Sequence, residues 1–246
     1  MLRAAGIEVK AGVMSDQARA LNAGFLSRIQ AGRPHVTLKI ASTIDGRIAL
    51  PSGESQWITG QAARAHVHLM RAQNDAVMTG IGTVLADDPE LNCRLPGVDH
   101  TRAVRVVVDT RGRLPATSKL AQSAARQPVW CLVSDQKKAS FAVRGVDVLG
   151  VPAGDGGLDL EAGLRILAAE GLTRVLVEAG GKLAASLLKA RLVDELLWYR
   201  APSVMGDGLG AVAGLGLALL SDMPRFTRQE TLRLGDDVLE TYRIGT

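Results

Sequence analysis

Cysteine is nearly absent from this chain: only Cys93 and Cys131 occur, and no CxxC spacing. That excludes a disulfide framework and a cysteine zinc site, and predicts two reduced thiols. Aromatic residues make up only 3% of the sequence, and the arginines are scattered rather than clustered. The net charge of +4 therefore does not argue for nucleic acid, which needs a basic patch and rings to stack on; an anionic small molecule explains it equally well. No stretch supplies the roughly 18 unbroken apolar residues of a membrane helix. The amino terminus, MLRAAGIEVKAGVMSD, has neither the apolar core nor the cleavage site of a secretory signal. These absences predict a soluble, cytoplasmic protein that uses no membrane.

Histidine is also sparse, with four residues. His66 and His68 lie two apart and point to different sides of a helix, while His35 and His100 stand in separate segments, so no metal site is expected. No GxSxG elbow and no local Cys-His signature offers a covalent nucleophile.

What is present is a globular composition, 47% hydrophobic and 22% charged over 246 residues, with an alternating pattern. Ser15-Asp16 followed by QARALNAGFLSRIQAG predicts a capped helix with Leu21, Phe25 and Ile29 on one face, stopped by Gly32 and Pro34. From His35 the apolar residues alternate as in a strand, Asp45-Gly46 reads as a tight turn, and RIAL as a second strand. Thr59 is placed to cap a helix to about Gln73, with Ala63, Val67 and Met70 sharing a face. Short apolar runs at 75–79, 104–109, 129–134, 146–151, 174–178 and 195–199 predict strands, helical segments at about 159–170 and 182–190 alternate with them, and DVLETYRI closes the chain as a last strand that an α/β domain can accommodate antiparallel. Residues 205–220 read as a Gly-rich loop leading into a short helix.

In such a sheet, ligands bind beyond the carboxyl ends of the strands. Gly80-Ile81-Gly82 follows one predicted strand and Glu178-Ala179-Gly180-Gly181-Lys182 another. Glycine there lets a phosphate approach the free amides of a helix's first turn, although a Gly-Gly pair serves a tight turn just as well; its recurrence after two strands tips the balance towards a nucleotide. The usual dinucleotide fingerprint is missing, since GIGTVL has Leu85 where a third glycine belongs and GLGAVA at 208–213 follows no clear strand. Lys39, Asp45, Arg71, Asp87, Asp88, Arg94 and Glu178 lie near strand or helix ends, where each is a solvated side chain, a cap or a ligand for an anion. Trp57 packs or covers a flat ring.

RPHVTLKIASTIDGRIAL, SGESQWITG, LMRAQNDAVMTGIGTVLADDPELNCR, VLVEAGGKLAASLL and LVDELLWYRAPSVMG resemble the reductase half of the bifunctional riboflavin-biosynthesis deaminase-reductase family. The resemblance implies a dihydrofolate reductase-like α/β fold, a mixed, mostly parallel sheet flanked by helices, over residues 34–246. It implies that residues 1–33 are a remnant or linker of a deaminase domain, with no deaminase activity, because the His-x-Glu and Pro-Cys-x-x-Cys elements are missing. The implied activity is NADPH-dependent reduction of the ribosyl group of 5-amino-6-(5-phosphoribosylamino)uracil by a homodimer. By the same resemblance, Ala41, Trp57, Gly80, Gly82, Thr83, Asp87, Thr110 and the run Gly180, Gly181, Lys182, Leu183, Ala184, Ala185 and Ser186 bind the cofactor. Ser55, Arg71, Leu91, Arg94 and Glu178 contact the substrate, the arginines gripping its phosphate. Lys39 orients or protonates the opened sugar, assisted by Glu178 or Asp45. Ala179 departs from the glycine common in the family. Two other readings share these residues: a reductase of a pteridine-like substrate, and a catalytically silent nucleotide-binding module.

Overall fold

The computed structural model describes residues 1–99 and 103–244, so His100 lies outside the described residues. In chain order the elements are α1 (Ser15–Leu21), α2 (Ala23–Ala31), β1 (His35–Ser42), β2 (Arg47–Ala49), α3 (Gln61–Ala72), β3 (Ala76–Gly80), α4 (Ile81–Asp87), β4 (Val104–Val108), α5 (Lys119–Gln122), β5 (Val129–Ser134), α6 (Asp135–Lys138), β6 (Asp147–Val151), the two-residue strands β7 (Ala153–Gly154) and β8 (Gly157–Leu158), α7 (Leu160–Ala169), β9 (Arg174–Glu178), α8 (Gly181–Lys189), β10 (Glu195–Arg200), β11 (Leu209–Gly210), β12 (Phe226–Leu234) and β13 (Asp237–Ile244).

Nine strands form one sheet in the order β12-β13-β10-β1-β9-β3-β4-β5-β6. Those from β10 to β6 are parallel, and β13 and β12 add an antiparallel edge. This is the mixed, mostly parallel sheet flanked by helices that the sequence implied. The chain leaves β1 for β3 and later returns to fill the gap between them with β9, so the order reverses around β1, where a ligand crevice is expected.

Side chains alternate across each strand, and the two faces are covered differently. Val36, Leu38 and Ile40 of β1, Val175 and Val177 of β9, and Ala76 and Met78 of β3 meet Leu164 and Leu167 of α7 and Ala184 and Leu187 of α8 in one continuous core. The opposite face carries two separate clusters. One packs Val77, Val107 and Cys131 against Ile81, Val84, Leu91 and Leu120. The other packs Leu197, Tyr199 and Leu239 against Ala63 and Val67 of α3. Between them, on the same face, β1 and β9 present Thr37, Lys39 and Glu178, with Leu176 the buried apolar side chain beside them. The polar crevice is thus a gap between two half-cores.

Several local expectations need correction. The amino-terminal helix is broken at Asn22 and has no side-chain cap at Ser15, its N-cap being Met14. Its apolar stripe faces outward, with Leu21 80%, Phe25 60% and Ile29 67% exposed. The segment docks instead through buried Gly24 against the stem of Arg174, whose guanidinium donates to the carbonyls of Ala20 and Leu21. Thr59 does not cap α3; Gly60 is the N-cap and its amide donates to Asp237 Oδ2 at 2.7 Å. β2 pairs with β11 and stays out of the main sheet. The only helical piece within 205–220 and its border is the three-residue turn Leu220–Asp222. No apolar alternation announces β12, because its residues between Phe226 and Leu234 are all exposed; it is held by pairing with β13 and by those two end residues, which pack on the core clusters. The Asp45-Gly46 turn forms as expected, with Gly46 at φ +74° and its amide on Thr43 O at 3.0 Å. Among the described residues no helix is long and apolar enough to cross a membrane, and no group of three or more His, Cys, Asp or Glu is placed to hold a metal ion. Cys93 and Cys131 are free and buried.

Asp194 fixes the entry into β1: its carboxylate takes two hydrogen bonds from Arg33, at 2.6 and 2.8 Å, and one from the Val36 amide at 2.8 Å. Both partners are mostly shielded from water. Replacing Asp194 by alanine leaves Arg33 and the amide without their acceptor and is expected to cost about 2–4 kcal/mol. A urea denaturation midpoint unchanged from wild type would show that this clasp does not hold the strand.

Candidate active site

The polar gap is built from three elements. Lys39 of β1 and Glu178 of β9 are register partners, with Lys39 Nζ 3.9 Å from Glu178 Oε2. Arg71, in the last turn of α3, where a helix end favours a cation, donates Nε to Glu178 Oε1 at 2.6 Å and a second nitrogen to Oε2 at 2.9 Å. Its remaining terminal nitrogen donates to Asn92 O at 2.9 Å. Side-chain exposure is 10% for Glu178, 14% for Arg71 and 18% for Lys39.

Burial by itself would raise the Glu178 carboxyl, but the charge and hydrogen bonds of Arg71, with Lys39 behind them, outweigh it and hold the group at about 2. Glu178 is therefore an anion at any working pH. Burial is likewise the largest effect on Arg71 and lowers it, yet Glu178 reverses the sign and Arg71 is raised. Lys39 differs: burial lowers its amine, Arg71 lowers it further, and Glu178 recovers only part. Among these three groups, Lys39 is the one whose proton is loosened.

The two glycine turns lie side by side. A Cβ on Gly180 would come within 3.9 Å of Thr83 Oγ1, and one on Gly80 within 3.6 Å of Leu183 Cδ2. Gly180 caps the nine-residue α8 with extended backbone and no side-chain hydrogen bond, which leaves the first-turn amides open, and a Cβ on Gly82 would meet nothing within 4 Å. These are the features of a cradle into which a phosphate chain fits. Gly181 is needed for a different reason. A Cβ there would lie 2.5 Å from Gly210 O, and its carbonyl accepts from the Ala213 amide at 3.0 Å, so the Gly-rich loop closes against the start of α8.

The other expected residues separate into those that face the crevice and those that do not. Ser55 donates to Asp87 Oδ1 at 3.4 Å, bringing these two together. Trp57 is 67% exposed with Arg64 stacked 4.7 Å from its ring centre. Ala41 and Thr110 are half-buried at the carboxyl ends of β1 and β4. Lys182 and Ser186 point outward, whereas Ala184 and Ala185 are buried and Leu183 packs on the core, so these three offer a ligand main chain only. Leu91, at φ +53°, is buried in an apolar cluster and likewise has no side chain to offer. Arg94 is 53% exposed in its side chain and paired with Glu90 at 2.9 Å. Asp45 does not join Lys39 and Glu178. Its carboxylate accepts from Thr43 Oγ1 at 2.6 Å, Met205 N at 3.1 Å and Gly206 N at 2.8 Å, and is held at about 2 by these bonds, that from Thr43 foremost. It clasps the 205–206 loop.

Sequence reasoning missed three further groups. His68 accepts from the Arg94 amide, Arg105 is fully buried and donates to oxygens of Glu90, Ser123 and Gln127, and Tyr199 is buried with its hydroxyl 2.8 Å from His66 Nδ1. Arg105 sits in the VRVVV run, where its spacing gives no sign of a charged core residue.

A family model described as the RibD C-terminal domain matches residues 34–239. The chain belongs to that family. Riboflavin biosynthesis protein RibD of Escherichia coli (strain K12) is 39% identical over 249 residues, covering 96% of this chain and 67% of that protein. The chain thus spans about two thirds of that relative's length. The solved structure of Acinetobacter baumannii RibD, form 1, matches with a TM-score of 0.84 at 37% identity, covering 100% of this chain and 67% of that one. The solved structure of the Saccharomyces riboflavin biosynthesis reductase Rib7 shares the fold, with a TM-score of 0.68 at 22% identity over 93% of this chain and 99% of its own.

In this RibD C-terminal domain the depressed Glu178 gives a definite acid signature. A carboxylate held at about 2 when folded and near 4.5 when free contributes stability that is present above pH 4.5 and lost as the pH falls towards 2. The contribution is on the order of 3 kcal/mol. Glu178→Gln should remove that segment of the acid-unfolding curve and leave Arg71 without its counter-charge. Superimposable acid-unfolding profiles for variant and wild type would refute the assignment.

Proposed function

We infer that this chain is an oxidoreductase of riboflavin biosynthesis that reduces the ribosyl group of 5-amino-6-(5-phosphoribosylamino)uracil to a ribityl chain, with NADPH as its reductant. Family membership supports the reaction. The observation that carries the site is the buried Lys39–Glu178–Arg71 group set beside two facing glycine turns.

The open amides of Gly82, Gly180 and the first turn of α8, with Lys182 at the rim, would hold the cofactor's phosphates, and Thr83, Asp87, Thr110, Ala41 and Trp57 would border it. When bound, the nicotinamide supplies a hydride to C1′ of the opened, imine-like sugar. The chain supplies the rest. Lys39, whose proton burial has loosened, donates to the nitrogen that becomes the secondary amine. Glu178, fixed as an anion, holds Lys39 and Arg71 in place and does not itself deliver a proton. Arg94 would give the substrate's phosphate a guanidinium partner, and the two N–H groups of Arg71 not committed to Glu178 and Asn92 O would add a second, while Ser55 would border it beside Asp87. The site residues lie within 39–186, inside the 34–246 segment that we take as the reductase domain, and we take the working form to be a cytoplasmic homodimer.

The test is loss of the reduced-nicotinamide absorbance when the chain is given NADPH and the phosphoribosylamino-pyrimidine, with one ribityl product formed per NADPH. Saturable NADPH binding without turnover would favour a silent nucleotide-binding module. Turnover of an unphosphorylated pteridine in its place would favour the other reductase. Lys39→Met should lower kcat by about 100-fold or more, the scale of a lost proton donor, while NADPH still binds. Arg94→Ala should raise KM for the phosphorylated substrate more than it alters cofactor affinity. Unchanged substrate kinetics would remove Arg94 from the site.

A further inference from the structure

The segment from Glu90 to Arg94 runs as a strap along the crevice, and its main chain is held from behind at every second residue. Arg105 donates to Glu90 O at 3.3 Å, Arg71 donates to Asn92 O at 2.9 Å, and the Arg94 amide donates to His68 Nδ1 at 3.2 Å. The intervening side chains, Leu91 and Cys93, are buried at 4% and 7% exposure. The strap therefore has a fixed inner edge, and Arg94 projects from its last held position.

We propose that His68 is a positioning residue for the reductase: its neutral imidazole, by accepting the Arg94 amide, sets the end of the strap and so the place from which Arg94 reaches the phosphate of the substrate. This rests on the assignment of Arg94 to that phosphate made above. A main-chain N–H can only donate, so Nδ1 must present its lone pair and the ring proton must sit on Nε2. A proton on Nδ1 would set two hydrogens against each other and release the strap. The charged groups that reach His68 are Arg71 from its own helix, Arg94 from the strap and Glu178 from β9. Burial first, then the two arginines, push the ring below its ordinary value of 6.5, against the Asn92 main chain and Glu178. The latch is therefore closed near neutral pH and opens only as the pH falls through that lowered value.

The three bonds that hold the strap's main chain run to Arg105, Arg71 and His68, none of them to Lys39 or to a glycine amide, so loss of the His68 bond should show in substrate binding rather than in the chemical step. His68→Leu, which keeps bulk and removes the acceptor, should raise KM for the phosphorylated substrate about fivefold, the worth of one hydrogen bond, with kcat and NADPH affinity close to wild type. His68→Gln, whose carboxamide oxygen accepts without titrating, should restore KM to within about twofold and abolish the rise in KM expected of wild type as the pH falls through the lowered imidazole value. Nitrogen-resolved NMR of the imidazole should show Nδ1 unprotonated and Nε2 protonated, a reading independent of how the variants fold. An Nδ1-protonated neutral ring, or a wild-type KM in His68→Leu, overturns the proposal. Arg94→Ala separates the two claims. If it raises KM while His68→Leu does not, the positioning role alone fails; if it leaves KM unchanged, the phosphate assignment beneath it fails.

Discussion

The ion pair between Arg71 and Glu178 joins parts of the chain that share no local reason to meet. Removing a carboxylate and a guanidinium from water is unfavourable, and only a two-point geometry with further hydrogen bonds offsets it. Here the fork of Arg71 takes both oxygens of Glu178, and its remaining terminal nitrogen takes Asn92 O. One side chain thereby ties the end of α3 to the end of β9 and to the strap beyond α4. Loss of Glu178 would leave two buried cations without their counter-charge, and loss of Arg71 would leave Glu178 with only the longer contact to Lys39 at 3.9 Å.

That constraint also divides the labour within the site. Side-chain charge is concentrated where the two half-cores part, with one carboxylate set among two cations, and the excess positive charge suits an anionic substrate. On the neighbouring side the groups on offer are main-chain amides at Gly82 and Gly180, open because no side chain occupies the space. Small-residue backbone for one ligand and fixed charge for another lie on adjacent strands because β9 was inserted between β1 and β3.

Much of this is legible along the chain. The runs at 129–134 and 174–178 become strands with the same bounds, because a strand buried on both faces must be apolar throughout. Gly80, Gly82, Gly180 and Glu178 stand out for their position after such runs, and the structure brings them together. The stripe Leu21, Phe25 and Ile29 misleads: its period is helical, but none of the described residues covers it. β12 is invisible for the opposite reason, as an edge strand held by main-chain pairing has no buried face to write into its sequence. Asp45 looks catalytic by position, yet two loop amides and a threonine hydroxyl claim its carboxylate.

Sequence alone determined the class of the protein, the buried strands of its parallel sheet, its glycine turns and the family whose motifs it carries, because these depend on periodicity and on residue types at short spacing. Tertiary structure decided which charges meet and what state each keeps. Lys39, Arg71 and Glu178 are separated by 32 and 107 residues, and nothing local distinguishes a carboxylate bound to an arginine from one in water. Only the fold, by burying them in one gap, makes Glu178 a permanent anion, loosens the proton of Lys39, and leaves His68 facing an amide that can only donate.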